Sequence, residues 1–132
     1  MTFTGKVFKA YASAITEKHG FGSSKMVEQG SPNYINAVIM RGQRLIDKAR
    51  WAEEKTSILL SEYDAAIAGK AEGLQLWEDL AAAEKWLVNN GWLRSYDAVV
   101  SRSRGHKHWE VTVTYYGLTG KGWSVAKKYL DD

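Results

Sequence analysis

The chain has 132 residues, 45% hydrophobic and 25% charged, with no Cys. That size fits one compact domain and excludes multidomain machinery, while the lack of Cys excludes disulfides, thiolate chemistry and Cys-based zinc sites. The net charge of +3 is unevenly spread, with +5 in residues 1–50, −5 in residues 51–90 and +3 in residues 91–132, so an anionic partner is expected at the flanks and not in the middle.

Phe3, Val7, Tyr11 and Ile15 recur every four positions and predict a helix over 3–18, ended near His19 and Gly20. Gly20, Gly22, Ser23 and Ser24 then predict a turn, followed by a short helical piece over 24–29. Ser31-Pro32 reads as a helix start, with Ser31 as the cap and Pro32 at the first helical position, where no donor is missed. From Pro32 the residues Ile35, Val38, Ile39, Leu45, Ile46 and Ala49 keep helical spacing, and the pattern runs on towards Ile67 as either one helix or two.

Gly69, Lys70 and Gly73 predict a further break, after which Leu76, Leu80, Ala83 and Leu87 define another helix, stopped by Asn89-Asn90-Gly91. Beyond Gly91 the period becomes two. A strand over 96–102, the polar tip Ser103-Arg104-Gly105-His106-Lys107 and a strand over 109–116 predict a hairpin, with Trp109, Val111, Val113 and Tyr115 as its apolar face. Thr119 is placed to cap a last helix over 120–130, and Trp92, Trp109 and Trp123 are expected in the core.

The phrases Leu87-Val88-Asn89-Asn90-Gly91-Trp92-Leu93 and Tyr116-Gly117-Leu118-Thr119-Gly120-Lys121-Gly122 make the segment 76–130 resemble the back half of a winged helix-turn-helix domain of the MarR and PadR repressor kind. The physical logic of the second phrase is local: Leu118 plugs the core, Thr119 caps, and Gly122 lets the helix pack closely. The resulting expectation is an α+β fold, mainly α: a winged helix-turn-helix with a C-terminal β-hairpin wing and extra N-terminal helices. The chain then reads as a single domain over 1–132, with a helical part (1–70) and a winged-helix-like part (71–132).

The resemblance implies a double-stranded DNA partner, a homodimer formed through terminal helices, and transcriptional regulation or an architectural role, with no cofactor and no chemistry. The wing residues Arg94, Arg102, Arg104, His106 and Lys107 are the candidate DNA contacts. The helix before the wing departs from the pattern, because Glu72, Glu78, Asp79 and Glu84 face a polyanion with Lys85 alone to attract it. A second candidate is the helix start near Pro32, where Asn33, Asn36, Arg41, Gln43 and Arg44 have base-reading chemistry.

The acidic helix, with Trp77 and Trp86 off its apolar stripe, also suits a protein-interaction module on the same scaffold. An accessory protein of a phage or mobile element binding a host protein is one example. Enzymatic and metal readings find no residues to carry them. His106-Lys107-His108 brings no carboxylate or Cys, and Thr119-Gly120-Lys121-Gly122 lacks the Ser or Thr that a phosphate-binding loop needs after Lys. No stretch approaches the roughly 18 apolar residues of a membrane span, and Met1 to Lys6 begin no signal peptide, so a cytoplasmic address is expected.

Overall fold

The first helix, α1 (Phe3–His19), is the centre of the molecule because its apolar residues occupy more than one face. Val7, Phe8, Tyr11, Ala12 and Ile15 are all fully buried, so other elements must surround it. A computed structural model describes residues 1–131 and shows which elements do so. They are β1 (Val27–Glu28), α2 (Asn33–Glu54), α3 (Leu60–Asn89), β2 (Leu93–Arg104), β3 (Lys107–Leu118) and α4 (Gly120–Leu130). The fold is α+β and mainly helical, with one three-stranded antiparallel sheet in the order β1-β3-β2.

The core joins α1 to Leu80, Ala83 and Leu87 of α3, Ile35 of α2, Val27 of β1, Leu93 and Leu118 at the base of the sheet, and Ala126 of α4. Phe8 meets the rings of Trp92 and Tyr129 edge-on at centroid distances of 5.0 and 5.3 Å, a geometry that adds to area burial. Thr2 caps α1, its hydroxyl accepting from the Gly5 N–H at 3.0 Å.

The segment 24–29 holds the two-residue strand β1 and not the expected helical piece. Six residues are too few to repay helix nucleation, whereas the edge of β3 offers a ladder. Val27 pairs with Tyr116, Glu28 pairs with Tyr115, and the Gln29 N–H donates to the Thr114 carbonyl at 2.8 Å. The next helix begins at Asn33, with Pro32 as its cap residue and no side-chain cap. Ser31 is used otherwise: its hydroxyl donates to the Glu28 carbonyl at 2.6 Å and closes the turn out of β1.

The long apolar pattern resolves into two helices broken at residues 55–59, and Gly69 to Gly73 are no break at all, since α3 runs through them for 30 residues. The division at residue 70 therefore falls inside one helix. Gly42 and Gly73 let α2 and α3 touch backbone to backbone: a Cβ on Gly73 would lie 2.7 Å from the Gly42 carbonyl oxygen, and one on Gly42 would strike the Trp77 indole. Trp77 closes the joint by donating its indole N–H to the Ile39 carbonyl at 3.2 Å. It is a structural residue of the helical hairpin and not the partner-facing one expected from its place off the stripe. Trp86 is exposed, beside Trp92 at a centroid distance of 6.0 Å.

The hairpin β2–β3 pairs without interruption from Leu93↔Leu118 to Arg104↔Lys107. Its turn is Gly105-His106, with Gly105 at φ 63°, the positive first position of a two-residue II′ turn. The strands are longer than the alternation predicts, and their faces are reversed. Leu93, Tyr116 and Leu118 point into the core, so Trp109, Val111, Val113 and Tyr115, one residue out of phase, line the opposite face, and Trp109 is 43% exposed. Thr119 caps α4 as read from the sequence, accepting from the Gly122 N–H at 2.9 Å, while a Cβ on Gly122 would strike the Trp92 carbonyl.

Candidate nucleic-acid interface

The outer half of the wing is the most basic projection of the chain. Residues 101–110 are all exposed, and residues 100–109 hold Arg102, Arg104 and Lys107 with two His and no acidic residue. The register sets Arg104 directly opposite Lys107, and His106 sits in the turn between them. Antiparallel pairing over the whole hairpin holds these side chains away from the core, where water leaves them solvated and able to meet a phosphate.

The five wing candidates are not equivalent. Arg94 lies at the base, its guanidinium donating to the Ser24 carbonyl, and it fastens the loop before β1. Arg102 pairs with Glu28 at 3.2 Å, an exposed ion pair of modest strength. Arg104, His106 and Lys107 form the tip proper.

The helix candidates are dispersed. Asn33, Asn36, Arg41, Gln43 and Arg44 extend over about three turns of α2, where all but the half-buried Gln43 are exposed. Arg41 is taken up by Glu72 at 2.7 Å and Gln43 by Asp47 at 2.8 Å, both within the chain. Asn33 alone joins basic residues, in a groove of about 810 Å³ that Lys6, Lys9 and Lys18 of α1 line together with Tyr34. Sequence reasoning missed those lysines because α1 and the start of α2 become neighbours only through packing.

The acids of the helix before the wing divide. Glu72, Glu78 and Asp79 are exposed, and Gln75 donates to Asp79 at 2.8 Å. Glu84 is instead 2% exposed in the core. It accepts from the Tyr11 hydroxyl of α1 and, at 2.6 Å, from the Gln29 side chain beyond β1. Desolvation pushes its carboxyl above the usual range against the opposing pull of both donors, and burial with the Glu84 charge nearby raises Tyr11 and holds Tyr116 at about 12. The signal was available in the sequence, since Glu84 lies four residues after Leu80 and three before Leu87, on the buried stripe.

Among the described residues no helix is long and apolar enough to cross a membrane, and no group of three or more His, Cys, Asp or Glu is placed to hold a metal ion. Neither a family model, nor a curated protein, nor a solved structure matches the chain.

Proposed function

We propose that the chain is a winged-helix DNA-binding protein, a regulator or architectural factor that grips duplex DNA by the tip of its wing. Two features support the winged-helix reading. The order α3-β2-β3-α4, a helix stopped at Asn90-Gly91, a hairpin and a Thr-capped helix, is the one that the resemblance implies over residues 76–130, and Leu118, Thr119 and Gly122 play the parts expected of that phrase.

The observation that carries the DNA reading is the tip itself: Arg104, His106 and Lys107 grouped at the exposed end of a two-stranded arm, with no acidic residue among positions 102–109. Such contacts position a protein on the phosphate backbone without reading bases. The exposed acids of α3 oppose entry of that helix into a groove, so binding rests on the wing and is weakly sequence-selective. A regulatory effect would come from occupancy of the duplex, with no cofactor and no bond made or broken.

Fluorescence anisotropy of a labelled duplex across a salt series tests this. Each phosphate contact contributes about −0.9 to the slope of log affinity against log salt, so Arg104→Ala/Lys107→Ala should flatten the slope by about 1.8. Absence of binding at low salt, or a slope unchanged in the double variant, would refute the wing as the contact.

A further inference from the structure

Two apolar faces of the described surface lack a covering layer, and they carry opposite charge. The first is the outer face of the wing. Positions alternating with the buried Leu93, Tyr116 and Leu118 face the core, and the intervening ones present Tyr96, Val100, Val113 and Trp109 outward, ending in Arg104 and Lys107. Tyr96 is 62% exposed. A sheet face rich in aromatic and β-branched side chains ordinarily packs under another layer. The chain's own helices do not supply one, because α3 lies against the opposite face, where Ala81 and Lys85 share a cleft with Ser95, Asp97 and Thr114.

The second is the outward face of α3. Leu60, Tyr63, Ile67 and Leu74 follow one another at spacings of three, four and seven, a heptad-like seam. The side of α3 turned to α2 is already filled by Ala66 and Gly73. Leu60 is 74% exposed, and Tyr63 and Leu74 are exposed too. Asp64 and Glu78 border this seam, on a helix with five exposed acidic residues against Lys70 and Lys85.

The two faces match in extent and in sign. Leu60 to Leu74 spans about 21 Å of helix, and Tyr96 to Arg104 spans about 27 Å of strand. We infer that the chain pairs with a second copy of itself, the outer wing face of each copy seated on the outward face of the other's α3. The contact repeats about a twofold axis, so both wings and both helices are covered at once. Apolar side chains leave water in its middle, while Arg104 and Lys107 lie among the acids of α3, so a second copy and a duplex compete for the same two residues. Wing against wing, or α3 against α3, would set like charges together.

Sedimentation equilibrium of the full chain, without nucleic acid, tests the pairing independently of the DNA reading. Wild-type protein should show a monomer–dimer equilibrium that weakens with salt. Asp64→Lys/Glu78→Lys and Arg104→Glu/Lys107→Glu alter exposed side chains only, and each alone should weaken self-association by about tenfold or more. Mixed one to one, the two variants have complementary charges at both contacts and should restore a dimer, detected as a mixed species when one variant carries a dye. A monomer at every concentration, a dimer indifferent to both reversals, a mixture without heterodimer, or an open series of larger species would each overturn the inference.

Discussion

The first helix and the wing are built from similar residues and put them to opposite uses. In α1 the apolar side chains Val7, Phe8, Tyr11, Ala12 and Ile15 all vanish from the surface. In the outer wing Val99, Trp109 and Tyr96 stay in contact with water although their strands are fully paired. The difference lies in layering: α1 is enclosed by three other helices and the sheet, whereas the distal hairpin, apart from the exposed Arg102–Glu28 pair, is flanked by its own two strands. Apolar residues in α1 therefore specify the fold, and those in the wing are free to specify what the fold meets.

Truncation should separate the two regions most sharply. Phe8→Ala removes a buried ring that Trp92 and Tyr129 flank and is expected to cost about 3–5 kcal/mol, read from urea denaturation. A loss below 1 kcal/mol would mean that α1 is not the centre of the core. Gly73→Ala tests the helical hairpin by sign. In an ordinary helix interior the change would stabilise by roughly 1 kcal/mol, but here the new methyl meets the Gly42 carbonyl, so a loss of about 1–3 kcal/mol is expected from overpacking and a lower Tm should report it.

Glu84 gives the core a pH dependence. Its folded pKa is raised by burial, so the native state binds the proton more tightly than the unfolded chain does. Stability from this group is full below the unfolded value of about 4.3 and declines as pH rises from there through the folded pKa. Denaturation midpoints of Glu84→Gln across that window should lose this decline, and an unchanged profile would assign it to another group. Thr119→Ala should cost about 1 kcal/mol through loss of the α4 cap, measurable by thermal melting. Trp109→Ala should shift the stability of the monomer, measured at concentrations below those of self-association, by less than about 0.5 kcal/mol, as surface changes do; a larger loss would show the wing face to be packed within the chain itself.

Local rules were readable and packing rules were not. The Val7-Tyr11-Ile15 stripe, the Asn90-Gly91 stop and the Thr119 cap each involve residues a few positions apart, and each stands where the pattern places it. Strand β1 escaped because two residues have no period, and its ladder partner lies 89 positions on, at Tyr116. Alternation in β3 located the strand but not which face was inward, since parity is silent on where the helices lie. Gly73 read as a breaker because glycine's backbone freedom is visible in a sequence, whereas its smallness matters only opposite Gly42. In the candidate site, the tip residues Arg104, His106 and Lys107 were legible as a hairpin loop. The internal engagements of Arg94, Arg102 and Arg41, and the lysines of α1 beside Asn33, depend on contacts between distant segments.

The first and last helices lie side by side. Tyr129 of α4 sits against Phe8, and within about van der Waals reach of a side chain built on Gly5. The Trp123 indole N–H further binds the Ser23 carbonyl, 100 positions earlier, at 2.9 Å. The start of α1 and the end of α4 thus emerge together, which makes the chain suitable for circular permutation. A short flexible linker could join the segment after α4 to the segment before α1, and new ends could open at Thr56-Ser57 or at Gly105-His106, both exposed turns remote from the core. The first opening would divide the helical hairpin and the second the wing, so the two permuted chains would reveal which arm needs to be continuous.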